Sequence, residues 1–146
     1  MAAAFPIPLI AGYRFDVAAN LSEAGTRARL SPAAIKAFLR VMERWGVRDQ
    51  DARALLGGLS SGSFYTLKKA ARRNLDQDTL TRISLLLGIF KALNILYSRR
   101  LADAWMTLPN SNPIFQGATP LAYILCLGVP GMLEVRHLLD ARRGGQ

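Results

Sequence analysis

The segment at residues 83–97, ISLLLGIFKALNILY, constrains the fold of this chain more than any other part of the sequence. It is apolar on almost every side of a helix, and Lys91 is the charged residue that interrupts it. A helix of that kind is buried over most of its surface. In a chain of 146 residues, the C-terminal region, a second copy, or both must cover it. We therefore predict that this helix forms both the core and a homodimer interface. The predicted interface residues are Leu86, Ile89, Phe90, Leu93 and Tyr97.

Length and proline content argue against a membrane-spanning segment. A helix that crosses a membrane needs about 20 predominantly apolar residues, and the uninterrupted run at 83–90 is too short. The uncharged stretch at 104–133 contains four prolines, which a continuous helix does not tolerate. Residues 1–30 carry no basic leader before their short apolar stretch, so no secretory signal is predicted. We expect a cytoplasmic protein that does not bind membranes.

Start and stop signals place the first helix after an N-terminal arm. Prolines and glycines punctuate residues 1–30, and we expect an arm with little independent structure there. Ser31-Pro32 combines a favourable N-cap with a proline suited to the first helical position. Apolar residues then recur at helical spacing until Gly46, a natural helix end.

Residues 31–75 have the proportions of a bundle that contains a helix-turn-helix. A short second helix follows Asp49 and ends at Gly57-Gly58, and a third begins near Ser60 and ends near Asn74. A short helix, a turn that contains glycine and a second helix are the parts of that motif. The sequence therefore predicts a DNA-binding region here.

The third helix carries the predicted DNA contacts. A recognition helix contacts base edges with its N-terminal residues, and cationic side chains nearby bind phosphates. The predicted DNA-binding residues are Ser61, Ser63, Thr66, Lys68, Lys69, Arg72 and Arg73. Residues 27–82 contain 12 basic and 5 acidic residues, or +7 of the formal net charge of +9. The positive field is thus concentrated on this region, as binding to a polyanion requires.

Residues 76–146 predict a second, small helical domain. The helical period of the apolar segment resumes through Trp105 and stops before Pro109. Thr119-Pro120 starts a short helix, and Pro130 starts the last one. Apolar and polar residues do not alternate over any sustained stretch, so we predict an all-α fold without a sheet.

Catalytic chemistry is not evident in the sequence. His137 is the one histidine and Cys126 the one cysteine, so a metal site is not expected. A nucleophilic pair of these two residues is the enzyme alternative, but Cys126 lies in an apolar run, where a cysteine is expected to be buried. No phosphate-binding loop or dinucleotide fingerprint is present. We expect no catalytic residue, no metal and no cofactor.

The most specific pattern is W-x3-PN-x4-F-x-G-x-TPL, from Trp105 to Leu121. Ordinary core packing does not require these residues in this order. Together with the helix at 82–97 and the closing Arg136, Leu139 and Asp140-Ala141, the pattern resembles the C-terminal domain of the Xre/MbcA/ParS antitoxins. The upstream LLGGLSSGSFYTLKK resembles the helix-turn-helix of the same family. The resemblance covers residues 30–145, nearly the whole chain beyond the N-terminal arm.

The resemblance implies both a fold and a function. The fold is an Xre-like helix-turn-helix bundle at 31–75 followed by a small helical dimerisation and toxin-binding domain at 76–146. Antitoxins of this kind are encoded beside toxins of the RES type, which degrade NAD. The antitoxin binds the toxin, blocks its active site and commonly represses its own operon by binding operator DNA. NAD is then the substrate of the partner and not a cofactor of this chain.

The toxin contacts are assigned to the loop at 109–117 and to the last helix with its arginine tail. The predicted toxin-binding residues are Trp105, Asn110, Phe115, Arg136, Asp140, Arg142, Arg143, Gly144 and Gly145. Guanidinium groups match sites shaped for phosphates, so an arginine tail suits a cleft that binds a pyrophosphate. The alternative for Trp105 and Phe115 is that they close the domain core. The rival function is a stand-alone transcription regulator whose C-terminal domain dimerises or senses a ligand.

Overall fold

Regular secondary structure is helical wherever the structure describes the chain. A computed structural model describes residues 20–70 and 74–144. The α-helices of these residues are α1 (Ala24–Trp45), α2 (Asp49–Leu55), α3 (Ser61–Lys69), α4 (Gln77–Leu96), α5 (Arg99–Ala104), α6 (Pro120–Leu127) and α7 (Val129–Arg143). Short 3-10 helices lie at Trp105–Thr107 and Pro113–Phe115. The predicted all-α fold is confirmed.

The described chain divides into two compact units. One comprises residues 20–87, with α1 to α3 and the first part of α4, and the other comprises residues 88–144. The boundary predicted between residues 75 and 76 lies just before α4, whereas the observed division falls inside that helix. Capping and turn signals mark where a helix begins, but they do not mark where its contacts change from one unit to the other.

The first helix begins earlier than predicted. α1 starts at Ala24, and Pro32 lies inside it. Residues 24–30 are therefore helical and do not belong to an arm, while residues 1–19 of the predicted arm lie outside the described residues. The chain turns into α1 at Asn20, whose Oδ1 accepts hydrogen bonds from the backbone N–H and the hydroxyl of Ser22. This local turn supplies the helix start that the sequence analysis placed at Ser31.

Ser31 has a different role from the N-cap that was predicted. Its hydroxyl donates to the carbonyl oxygen of Arg27 at 2.6 Å and accepts from the backbone N–H of Leu75 at 3.0 Å. Ser31 is fully buried. A serine that bonds back to the preceding helical turn can occupy the interior of a helix. Here the same hydroxyl also ties α1 to the segment that leads into α4.

Ser31→Ala is expected to lower the free energy of unfolding by about 1–3 kcal/mol, because it leaves the buried N–H of Leu75 without its acceptor. Ser84→Ala is the matched control, since Ser84 is exposed on α4 and alanine has the higher helix propensity. Urea unfolding of both variants measures the difference. Equal stability of the two variants would contradict the bridging role of Ser31.

Large apolar side chains are fully buried in both units. In residues 20–87 they include Ile35, Phe38, Leu55, Leu67 and Ile83. In residues 88–144 they include Ile89, Phe90, Leu93, Met106 and Ile124. α4 contributes to both sets, which agrees with its nearly uniform apolar surface.

Among the described residues, α4 is long and apolar enough to cross a membrane. Half of its most apolar window is buried within the chain. Burial of this extent is typical of the core helix of a folded domain.

The capping signals near the C-terminus are confirmed. The hydroxyl of Thr119 accepts from the N–H of Ala122 at 3.0 Å, and Pro120 is the first residue of α6. α7 follows after Gly128, whose φ of 68° favours glycine. A Cβ on Gly131 would lie 3.3 Å from the Cα of Ile124, so the absence of a side chain there lets α6 and α7 approach closely.

Candidate functional site

A hydrogen-bonded turn fixes α3 relative to α2. The carbonyl oxygen of Arg53 accepts from the N–H groups of Gly58 and Leu59, and its Nε donates to the carbonyl oxygen of Leu59 at 2.9 Å. Gly57 and Gly58 have φ values of 99° and 89°, which glycine adopts without steric cost. A Cβ on Gly57 would also lie 3.3 Å from Nε of Arg82 on α4. The turn therefore presents α3 in a defined orientation, as a recognition helix requires.

The centre of the outward face of α3 is a residue that the sequence analysis missed. Phe64 and Leu67 are buried, so the opposite side, with Ser61, Tyr65 and Lys69 at four-residue spacing, faces solvent. Tyr65 is 62% exposed, and Nζ of Lys69 lies 5.4 Å from the centroid of its ring. The helical spacing that directs Phe64 and Leu67 inward was the signal that places Tyr65 outward.

The small polar residues predicted to contact DNA differ in how freely they face solvent. The hydroxyl of Thr66 is exposed but donates to the carbonyl oxygen of Gly62 at 3.1 Å. Ser63 is half-buried, and its backbone N–H is capped by the hydroxyl of Ser60. Ser61 is exposed on the first turn. Ser61 is therefore the small polar residue best placed to contact a base edge.

The predicted basic cluster is only partly described. Nζ of Lys68 forms an ion pair with Asp49 at 3.1 Å, whereas Lys69 extends over Tyr65. Arg72 and Arg73 lie outside the described residues. Lys69 is thus the cation of α3 that lies on the outward face and carries no ion pair among the described residues.

The aromatic residues predicted to contact a toxin lie in the core. The rings of Trp105 and Phe115 pack edge to face with centroids 6.1 Å apart, and Phe115 packs in the same way on Tyr123 at 5.2 Å. Trp105 and Phe115 are buried. Their burial in the single chain favours the core alternative, and a direct toxin contact at either residue stays a prediction.

Tyr123, the third ring of this edge-to-face cluster, links α6 to α7. The hydroxyl of Tyr123 donates to the carboxylate of Glu134. This hydrogen bond is the main cause that raises the pKa of Tyr123, followed by desolvation and the negative charge of Glu134. The contact adds to the close approach of the two helices at Gly131.

Asn110 shapes the loop in which it lies. Its side-chain Oδ1 accepts from the N–H of Asn112 at 2.9 Å, and its own N–H donates to the carbonyl oxygen of Ala118 at 3.2 Å. The second bond closes the loop between residues 110 and 118. Asn110 is half-buried, so its clearest role is to fix the loop conformation.

The arginines of α7 are held by residues of the same unit. Nε of Arg136 pairs with Asp140 at 3.1 Å, and Arg143 approaches the same carboxylate at 3.6 Å. Nη1 of Arg142 donates to the hydroxyl of Tyr97 at 2.7 Å. Gly144 is exposed, and Gly145 lies outside the described residues. The arginine tail is thus an ordered extension of α7 as far as Gly144.

The residues predicted as a dimer interface are largely core residues. Leu86, Ile89, Phe90 and Leu93 are fully buried within the single chain. Tyr97 is half-buried and bonded to Arg142. Burial of these four residues within one chain favours a core role for them, and their part in a dimer interface stays a prediction.

Cys126 is exposed, contrary to the expectation that it is buried. It lies on the outer side of α6, where the apolar run around it had suggested a core position. His137 is exposed on α7. Within residues 20–70 and 74–144, no group of three or more His, Cys, Asp or Glu side chains is placed to hold a metal ion.

Comparison with known proteins identifies both units. Residues 24–88 match the family model described as the antitoxin Xre-like helix-turn-helix domain, and residues 92–145 match that of the antitoxin Xre/MbcA/ParS C-terminal toxin-binding domain. The chain belongs to the Xre/MbcA/ParS antitoxin family. Neither of the two matched families is a family of enzymes.

A curated relative covers most of this antitoxin-family chain. The uncharacterised protein y4oB of Sinorhizobium fredii is 40% identical over 115 residues, which is 78% of this chain and 87% of that protein. No solved structure matches the chain. The two family matches meet near residues 88–92, close to the division between the two compact units.

The toxin-binding domain has a continuous exposed strip along α7. Leu133, His137, Ala141 and Gly144 follow one another at spacings of three or four residues, and all are exposed. Leu133 is 40% exposed. The buried residues Met132, Val135 and Leu139 occupy the opposite side of the helix. We call these four exposed residues the α7 strip.

Gly88→Ala is expected to displace the guanidinium of Arg136 from the surface of α4. A Cβ at residue 88 would lie 2.9 Å from Cζ of Arg136 and still closer to Nη1. The side chain is flexible, so it swings away and the backbone stays in place. The free energy of unfolding changes by less than about 1 kcal/mol. Alanine is about 1 kcal/mol more favourable than glycine in a helix, and this gain offsets the lost contact between Arg136 and α4.

Urea unfolding and the NMR signal of the Arg136 Nε–H group measure this displacement. Gly25→Ala is the control, since a Cβ on Gly25 meets no atom within 4 Å and should simply stabilise α1. An unchanged Arg136 signal in Gly88→Ala would show that its guanidinium does not rest on α4.

Proposed function

We propose that this chain neutralises an NAD-degrading toxin of the RES type by binding it and blocking its active site. The observation that carries the proposal is the succession of an Xre-like helix-turn-helix and an Xre/MbcA/ParS toxin-binding domain along one chain. The pattern from Trp105 to Leu121 supports the RES assignment through its resemblance to antitoxins of that pairing. NAD is the substrate of the toxin, and this chain needs no cofactor.

The proposed toxin contact is the α7 strip with the exposed end of α7. Asp140 and Arg143 are exposed beside the strip, so they can contact a partner directly. Arg136 and Arg142 support this surface from half-buried positions on α7, and Asn110 fixes the neighbouring loop at 109–117. Trp105 and Phe115 act only by holding the domain core together.

The helix-turn-helix domain is proposed to bind operator DNA upstream of its own gene and to repress transcription. Residues 27–82 contribute most of the net positive charge, and counterion release from phosphates makes such a surface bind DNA. The proposed contacts on the described part of α3 are Ser61 and Lys69, and Thr66 and Lys68 lie beside them. Ser63 is half-buried, and it supports the first turn.

A cytoplasmic homodimer is part of the proposal, because two recognition helices about 34 Å apart can enter successive major grooves. Its interface lies outside the four buried α4 residues. Sedimentation equilibrium of the full chain tests the dimer. A monomer at all concentrations would contradict it.

Co-expression in bacteria tests neutralisation. The product of the adjacent gene should stop growth when it is expressed alone, and this chain should restore growth. A neighbour that is harmless alone would favour the rival function, a stand-alone helix-turn-helix regulator.

A further inference from the structure

The outward face of α3 carries an exposed aromatic ring between a hydroxyl and a cation. Ser61, Tyr65 and Lys69 are one helical turn apart and form one ridge, which we call the α3 ridge. With 62% of its surface exposed, Tyr65 is the most exposed large apolar side chain among the described residues. An aromatic residue contributes little to folding at that exposure.

The surroundings of Tyr65 leave its ring free to enter a groove. Gly62, one turn earlier, bears no side chain, and a Cβ there would meet no atom within 4 Å. The backbone of the first turn can therefore come close to a surface while the Tyr65 ring projects beyond it. Lys69 lies over the ring at 5.4 Å, where cation–π attraction restricts the ring orientation.

The groups that each base presents in the major groove determine which base such a ring can contact. In the major groove, thymine is the base that presents an apolar group, its 5-methyl, and the other edges present hydrogen-bond donors and acceptors. A ring on the second turn of a recognition helix lies near the N-terminal residues that contact base edges. Lys69, one turn further along, has the charge to bind a phosphate beside the contacted base.

We propose that Tyr65 is a specificity-determining residue that contacts the 5-methyl group of a thymine in the operator. The proposal rests on the operator binding proposed above and adds which base is recognised and by which side chain. The contact is apolar, so the phenolic hydroxyl is not needed for it.

The test uses the full chain and a duplex that covers the DNA upstream of its own gene, with a shuffled duplex of the same composition for comparison. Tyr65→Ala is expected to weaken binding to the upstream duplex about 10-fold and to leave binding to the shuffled duplex unchanged. Tyr65→Phe keeps the ring and is expected to bind like the wild type. Because the ring is exposed, both variants should retain the thermal stability of the wild type.

Removal of the methyl group supplies the direct readout. In the upstream duplex, each thymidine is replaced by deoxyuridine, one position at a time. The wild type is expected to lose affinity at one position per half-site, and Tyr65→Ala to lose none further there. Lys69→Ala provides the contrast, since it should weaken binding to both duplexes and lower the dependence of log affinity on log salt by about one.

Two results would overturn the proposal, and they are distinguishable. If the wild type prefers the upstream duplex but Tyr65→Ala binds it equally tightly, or if the uracil effect persists in that variant, the role of Tyr65 is refuted and operator binding stands. If the wild type does not prefer the upstream duplex at all, operator binding is refuted and the role of Tyr65 is refuted with it.

Discussion

Phe115→Ala is expected to lower the free energy of unfolding by about 3–5 kcal/mol, because it removes a buried ring and leaves a cavity. Phe115 is 2% exposed, and it packs on Trp105 and Tyr123 within the toxin-binding domain. The substitution removes the ring contacts of Phe115 with both Trp105 and Tyr123. Toxin binding should fail in this variant because the domain unfolds, since Phe115 has no surface to offer the toxin.

Leu108→Ala is the control for the core assignment. Leu108 is 47% exposed in the same domain, so its truncation should change stability by less than about 0.5 kcal/mol. Urea unfolding at one temperature compares the two variants. A Phe115→Ala variant that is as stable as the wild type but no longer binds the toxin would restore Phe115 as a direct contact residue.

Lys68→Glu combined with Lys69→Glu is expected to weaken operator binding on the order of 100-fold at moderate salt, because it reverses two charges on the proposed DNA surface. Lys69 accounts for most of this loss, since Lys68 is paired with Asp49. The slope of log affinity against log salt should fall by at least about one, the share of Lys69. Toxin neutralisation should be unchanged, because α3 is in the helix-turn-helix domain.

Arg99→Glu with Arg100→Glu is the matched control. Both arginines are exposed on α5, and this double variant lowers the net charge of +9 by the same four units. It should therefore retain nearly all operator affinity. Equal losses in the two double variants would mean that only net charge matters and that α3 is not the recognition helix.

Local signals explain why most helix starts were predictable. Thr119-Pro120 and Ser60 act as caps because their hydroxyls accept N–H groups from the next turn. Ser31-Pro32 is the same type of signal and failed. The Ser31 hydroxyl bonds to Arg27 and Leu75, and the second of these partners is distant in sequence. A capping pattern cannot reveal a tertiary partner of that kind.

The sequence predicted which helices carry the candidate site, but it did not predict which of their side chains are bonded within the chain. The sequence predicted the starts of α3 and α7 to within one residue, although α3 ends at Lys69 and not near Asn74. It did not predict that Lys68 pairs with Asp49 or that Arg142 bonds to Tyr97, since these partners meet only in the folded chain. The apolar run around Cys126 likewise does not reveal that α6 buries Ile124 and turns Cys126 outward.

NAD consumption by the purified product of the adjacent gene, titrated with the full chain, tests toxin neutralisation without the complications of a living cell. We expect a stable complex of the two proteins and complete loss of NAD consumption at saturation. We also expect the Lys68→Glu, Lys69→Glu variant to inhibit as well as the wild type. A neighbour that consumes NAD at the same rate with and without this chain would contradict the proposed neutralisation.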